Sequence, residues 1–320
     1  MPSLNTLNLS AAIMHFVLAI GFSIYFAVLN NKYPNQPIQG VELSMRDHAL
    51  DINDITDGSC EPSDTTYCDA SGNGIVSTWK SETTANVDIK VIQGLLVSFF
   101  FITGSFHLFY YLGNGNPEDE PTWRNEYSRA IKNSNNFYRW IEYSMTATMM
   151  LYIIAFTSGV KDTNIYLLLF ATNVTMISLG QTVEVAIRDG KDWKLPMFTS
   201  FLLLIMEFVV IIRSFWQRLG QVNSFLSTST LPSMTGGRTI PSWLNYMIIV
   251  LFLFFSCFGF VSLYGVYKKT SNESDEKLYK TSYEYVEKLY IILSFVAKAT
   301  LGVFIAYGTA QRQQGRNRNE

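Results

Sequence analysis

The sequence predicts an all-α membrane protein. It would be one bundle of seven transmembrane helices over residues 1–320, with a small extracellular β-hairpin in its first loop. Three observations predict it. Seven apolar stretches are each long enough to cross the roughly 30 Å hydrocarbon layer, which takes about 20 helical residues. The chain of 320 residues is 48% hydrophobic and 15% aromatic but only 16% charged. One lysine, Lys298, stands alone in the middle of the last stretch, in Ser-Phe-Val-Ala-Lys-Ala-Thr.

The helices are expected near residues 11–30, 91–112, 135–157, 163–187, 196–216, 243–267 and 284–309. The leader Met-Pro-Ser-Leu-Asn-Thr-Leu-Asn has no Lys or Arg, and the apolar run after it is too long for a signal peptide, so the first stretch reads as a retained helix. The loop 31–90 is acidic, and its tail Gly-Ile-Val-Ser-Thr-Trp-Lys alternates as a strand does, after the turn-forming Ser-Gly-Asn-Gly. Those signals predict the hairpin. The stretch Asn114–Ser134 begins with Pro117, Glu118, Asp119, Glu120 and Pro121 and then reads as a short polar helix. No internal repeat stands out, which argues against inverted-repeat transporters. The net charge of -2 and the lack of a basic stripe exclude nucleic acid as a partner.

Orientation follows from cysteines and charges. Cys60 and Cys68 flank a short polar run in the first loop, where they are either a disulfide, which needs an oxidising face of the membrane, or two free surface thiols. Cys257, inside the sixth stretch, reads as a small core residue. An external first loop makes the amino terminus cytoplasmic and the carboxyl terminus extracellular. The positive-inside rule leans mildly the same way: Arg124, Arg129, Lys132, Arg188, Lys191, Lys194, Lys268, Lys269, Lys277 and Lys280 fall on the amino-terminal side. Lys161, Arg213, Arg218, Arg238, Arg312, Arg316 and Arg318 fall on the other.

A charge at mid-bilayer costs at least about 2.5–3.5 kcal/mol, so buried ionisable groups mark a function. His15 on the first helix, His107 on the second and Glu142 on the third reach one layer of the cytoplasmic half. Lys298 lies deeper, about 21 Å along its helix, but helical side chains lean toward their own amino terminus, which carries its amine toward Glu142. Ser294 and Thr146, each one turn away, are placed to hydrogen-bond that pair. A plain salt bridge between helices is the simpler reading, but buried pairs contribute little net stability. Dry surroundings favour the uncharged amine, a nucleophile toward aldehydes, and a Schiff base to retinal uses it. For the two histidines, a satisfied core imidazole and a proton-handling group remain open alternatives. Glu207, in Leu-Ile-Met-Glu-Phe-Val-Val, is either a proton-pathway group or a neutral acid at a helix contact. Trp243, Phe252, Phe255, Phe258, Phe260 and Phe295 suit a slot for a polyene, although core packing uses the same side chains.

Arg139-Trp140-Ile141-Glu142-Tyr143-Ser144, with Ser294-Phe295-Val296-Ala297-Lys298, resembles the heliorhodopsin family. The helix count, inverted orientation, long first loop and both histidines are similar too. The resemblance implies a rhodopsin-like bundle holding all-trans retinal on Lys298, with Glu142 as its single counterion. It implies that Ser294, His15 and His107 line the Schiff-base region, that Tyr143 and Thr146 face the cofactor, and that Asn173 is a pocket asparagine. It further implies isomerisation to 13-cis, loss of the Schiff-base proton, a slow photocycle, a homodimer in the lipid bilayer and no established pumping. Leu18 departs from the pattern, in which a glutamine often follows the helix-one histidine by three residues. Pumping microbial rhodopsins usually carry a proton donor and a second carboxylate where this chain has Ile153 and Ser294.

The expected function is therefore a light sensor, not an enzyme, read by an unknown signalling partner in the cell membrane. A light-gated or passive proton conductor is the alternative, motivated by Glu207 and by Glu287, three turns before Lys298 on one face.

Overall fold

The computed structural model describes residues 3–32, 41–47, 50–55, 66–68, 74–77, 80–87, 89–228, 243–271 and 276–317. Among these are eight helices: α1 Leu4–Lys32, α2 Ile89–Leu112, α3 Glu126–Lys132, α4 Phe137–Ser158, α5 Thr163–Arg188, α6 Lys194–Thr228, α7 Trp243–Ser271 and α8 Glu276–Asn317. Five strands lie between α1 and α2: β1 Val41–Asp47, β2 Leu50–Ile55, β3 Thr66–Cys68, β4 Gly74–Ser77 and β5 Lys80–Val87.

This corrects the expected fold class on two points. First, a small hairpin does not describe the first loop. The strands form two sheets, β1 with β5 and β2-β4-β3, all antiparallel. The turn and alternation signals around 70–80 are local, whereas β5 pairs with β1 across the whole loop, Val41 opposite Val87 and Asp47 opposite Lys80. No short-range pattern announces such a partner. Second, beside the short polar α3 expected within Asn114–Ser134, not all seven long helices are apolar enough to span a membrane. Six of those described, α1, α2, α5, α6, α7 and α8, contain a segment long and apolar enough to cross a membrane by length and composition.

α4 does not meet that measure because it carries Arg139, Glu142 and several hydroxyls. Those groups do not need lipid, since α4 packs inside the bundle with Trp140, Tyr143, Leu151, Ile153 and Ile154 all buried. The main core joins this face to Leu96, Phe99 and Phe100 of α2, Phe208 and Ile211 of α6, Met247 and Leu251 of α7, and Leu301 and Ile305 of α8. The outward residues of α1, such as Val17, Ile20, Ile24 and Val28, are more than half exposed, as a lipid-facing surface would be.

Local chemistry fixes the ends of α4. The side chain of Asn136 accepts from the Arg139 N–H at 3.4 Å, capping the first turn. Gly159 ends the helix at φ 88°, a left-handed conformation that glycine adopts without a Cβ penalty, and Val160 N–H returns to the Ala155 carbonyl at 3.0 Å. Asp162 then caps α5 by accepting from Asn164 N–H at 2.8 Å. These caps fix where α4 and α5 begin, and packing turns Glu142, Arg139 and Glu184 inward. Of the two loop cysteines, Cys60 lies outside the described residues, so their pairing does too; Cys257 is a free, half-buried thiol.

Candidate functional site

α8 brings Lys298 to the middle of the bundle, where it is 3% exposed. Its Nζ donates to Glu142 Oε1 at 2.9 Å and to Thr103 Oγ1 at 2.6 Å, and lies 5.7 Å from the centre of the Tyr143 ring. Three helices thus converge on one ammonium: α4 with the carboxylate, α2 with the hydroxyl, α8 with the amine. Glu142 is equally buried. A buried charge pair of this kind holds together only when its remaining hydrogen-bond positions are filled, which gives Thr103 its part.

Thr103 was not singled out from the sequence, although a signal exists: it sits one turn before His107 on the same face of α2. The two hydroxyls expected beside the pair behave differently. Ser294 and Thr146 are buried and line the same cavity, yet neither Oγ bonds the pair or any other protein atom. Replacing Thr103 with Val removes one buried partner of the ammonium; the expected cost is about 1–3 kcal/mol, read as a lower melting temperature. Thr103→Ser should restore most of it.

His15 and His107 stack at 5.5 Å between ring centres, inclined by 28°. His15 Nδ1–H donates to the Ala11 carbonyl at 2.7 Å, and His107 Nδ1–H donates to Asn8 Oδ1 at 2.9 Å. Each ring is therefore anchored on one side, as a core histidine is, and leaves its buried Nε2 without a partner. Phe295, three residues before Lys298, meets His15 edge-on at 5.4 Å, which joins the histidine layer to the α8 site. Asn173 is fully buried on α5 and donates to Thr148 Oγ1 at 2.8 Å, but it does not line the Lys298 cavity. Glu207 is buried on α6 with both carboxyl oxygens unpartnered, and it does not line that cavity either.

The cavity beside Lys298 holds about 850 Å³ of atom-free space, its open mouth included. Its walls are largely apolar: Trp140, Met150, Met176, Phe201, Phe255 and Phe258 among others. Two glycines shape it. A Cβ on Gly259 would come within 2.4 Å of the Phe201 ring, and one on Gly180 within 2.6 Å of the Trp140 ring. Trp140 cannot swing aside freely, because its Nε1 donates to Glu184 Oε2 at 2.6 Å. Gly180→Ala is therefore expected to cost about 1–3 kcal/mol, measurable as a drop in melting temperature.

A second polar centre lies toward the amino-terminal ends of α4 and α8. Arg139 is buried between two carboxylates, bonding Glu184 Oε2 at 2.6 Å and Glu287 through a short contact. Its guanidinium lies 4.8 Å from the Trp140 ring and 4.3 Å from the Tyr290 ring. Glu184 escaped the sequence reading because it stands one turn from the end of its apolar stretch, where a carboxylate ordinarily reaches water.

A sequence model of the heliorhodopsin family matches residues 62–310. The chain belongs to the heliorhodopsin family. No protein with a curated description matches it. Among solved structures, the crystal structure of a thermophilic rhodopsin is similar in fold, with a TM-score of 0.50 at 13% identity, covering 97% of this chain and 96% of the other. The protein is thus a rhodopsin-type retinal protein and, with its apolar helices, a multi-pass membrane protein. The Lys298 cavity suits such a chromophore: an apolar slot, an amine in its wall, and two buried hydroxyls, those of Ser294 and Thr146, still free to bond what enters.

Proposed function

We propose that the protein is a light-sensing photoreceptor in which Lys298 carries the chromophore and Glu142 is its counterion. The observation that carries this reading is the 2.9 Å contact between Lys298 Nζ and Glu142 Oε1 in the wall of the apolar cavity. All-trans retinal, joined to Lys298 as a protonated imine, would supply visible absorption and a double bond that light isomerises to 13-cis.

The chain's own groups do the rest. Glu142 holds a positive charge on the Lys298 nitrogen, and Thr103 accepts its other hydrogen bond. Tyr143, Ser294 and Thr146 line the cavity around the linkage, while Asn173 bonds Thr148 on α4 away from that lining. The unpartnered Nε2 atoms of His15 and His107 are the nearest vacant proton acceptors on the α1–α2 side. Ile153, in the place where pumps usually have a proton donor, is fully buried among apolar side chains. Ser294 replaces the second carboxylate. With Ile153 and Ser294 in the places of the usual proton donor and second carboxylate, a slow cycle that signals fits better than outward pumping by that route.

The amino terminus is read as cytoplasmic, the loop with β1–β5 as extracellular, and the working form as a homodimer contacting an unidentified signalling partner. Protein purified with all-trans retinal should be coloured and should bleach in light with hydroxylamine. Voltage clamp of cells expressing it should give no photocurrent above background at any pH gradient. A steady current would overturn the sensor in favour of a proton conductor, and a colourless product would overturn both.

A further inference from the structure

Glu184 and Glu287 both face Arg139, but their surroundings are unequal. An ionised carboxylate offers about four acceptor positions. Glu184 has four donors: Arg139, Trp140 Nε1 at 2.6 Å, the Tyr283 hydroxyl in a short contact, and the Asn136 backbone N–H at 3.3 Å. Glu287 has two, Arg139 and Asn136 Nδ2 at 2.6 Å. The positions on Glu184 are taken, one of them by an N–H that it shares with the Tyr283 hydroxyl at 3.0 Å; two are left on Glu287. The charge count points the same way. One guanidinium against two carboxylates leaves an uncompensated negative charge in a site where the Arg139, Glu184 and Glu287 side chains are 4%, 10% and 2% exposed. Such a charge is costly unless a proton removes it. The other titratable groups near Arg139 are the phenols of Tyr143 on α4 and of Tyr283 and Tyr290 on α8, and none supplies a second positive charge.

The position of this centre gives the proton a use. Trp140 and Tyr290, whose rings both contact the guanidinium, also line the Lys298 cavity. Together with Ser262 they also border a small second cavity, into which Arg139, Glu184 and Tyr283 face. Arg139 Nε is buried without a hydrogen-bond partner, so one donor of the guanidinium is unused. A change in the shape of whatever fills the large cavity presses on the two rings that fix Arg139.

We infer that Glu287 is a neutral carboxylic acid paired with Arg139, and that its hydrogen bonding carries the chromophore's change of shape to this end of the bundle. The second half rests on the photoreceptor reading; the first does not.

Gln has the shape and charge of a neutral Glu. Its amide nitrogen cannot accept as a hydroxyl oxygen can, so Glu287→Gln is expected to lower the melting temperature only slightly, whereas Glu184→Gln sets an amide NH2 among four donors and lowers it sharply. In the dark, with or without retinal, carbon-13 spectra of glutamate-labelled protein should contain a protonated-carboxyl signal that Glu287→Gln removes while the ionised Glu184 signal stays in place; Glu184→Gln removes it too, because Glu287 must then ionise to balance Arg139. Glu207→Gln serves as a control for a second buried acid. Equal destabilisation by both substitutions, or a signal that survives in Glu287→Gln, overturns the assignment. In pigmented protein, the light-minus-dark infrared spectrum should show a shifted carboxylic C=O band absent from Glu287→Gln. A dark signal with no light-induced shift overturns the coupling and leaves the protonation state standing. A protein that never binds retinal fails the photoreceptor reading without touching the dark result.

Discussion

Lys298→Ala is expected to remain colourless when expressed or reconstituted with retinal, while the parent chain develops a visible band. Among the described residues no other lysine lines the cavity, so none offers a second amine to the aldehyde. The substitution also leaves Glu142 buried without its cation; breaking a buried pair by removing one partner costs about 3–5 kcal/mol. A colourless protein could then be colourless because it is unfolded. Lys298→Ala combined with Glu142→Gln addresses this, since with both charges gone the buried penalty falls and stability should recover relative to Lys298→Ala alone. A folded double variant without pigment ties the colour to the amine. A Lys298→Ala protein that still carries retinal through a bond surviving denaturation would end the proposal.

Glu142→Gln is expected to have the second-largest effect, a displaced or lost visible band with the protein still folded. The carboxylate lies 2.9 Å from Nζ, and Thr103 offers only a neutral oxygen at 2.6 Å. Among the described residues Glu142 is the carboxylate that pairs with Nζ, so without it the positive charge has no anion bonded to it. The energy gap between ground and excited states depends on where the balancing negative charge sits, so removing it must move the absorption. Glu142→Asp keeps the charge one methylene further away and should give an intermediate shift. An unchanged spectrum in Glu142→Gln would remove Glu142 as counterion.

The pattern of apolar stretches carried most of the helical architecture, because a helix that meets lipid must be apolar over about 20 residues whatever its neighbours are. The first loop was less legible. Its alternation revealed a strand near Gly74, but which strands pair depends on closure of a loop tens of residues long, and β1 with β5 has no local signature. In the site, Lys298 and Glu142 stood out because a charge inside an apolar run needs a reason. Thr103 did not, since threonine is common in membrane helices and its role comes only from the rotation of α2 against α8. Ser294 and Thr146 were placed on the right faces by helical period, yet period fixes direction and not reach. Both stop short of the pair.

The sequence by itself determined the helical membrane body, the isolated amine and the carboxylate one helix-depth away, because each is a local departure from what a bilayer tolerates. Only the tertiary structure decided that Thr103 completes the pair, that Glu184 and Glu287 divide Arg139 unequally, and that Trp140 and Tyr290 stand between that centre and the cavity. Those outcomes depend on how helices rotate and how close they pack, and hydrogen-bond partners within 3 Å are set by the packing of the whole bundle rather than by spacing along any one helix.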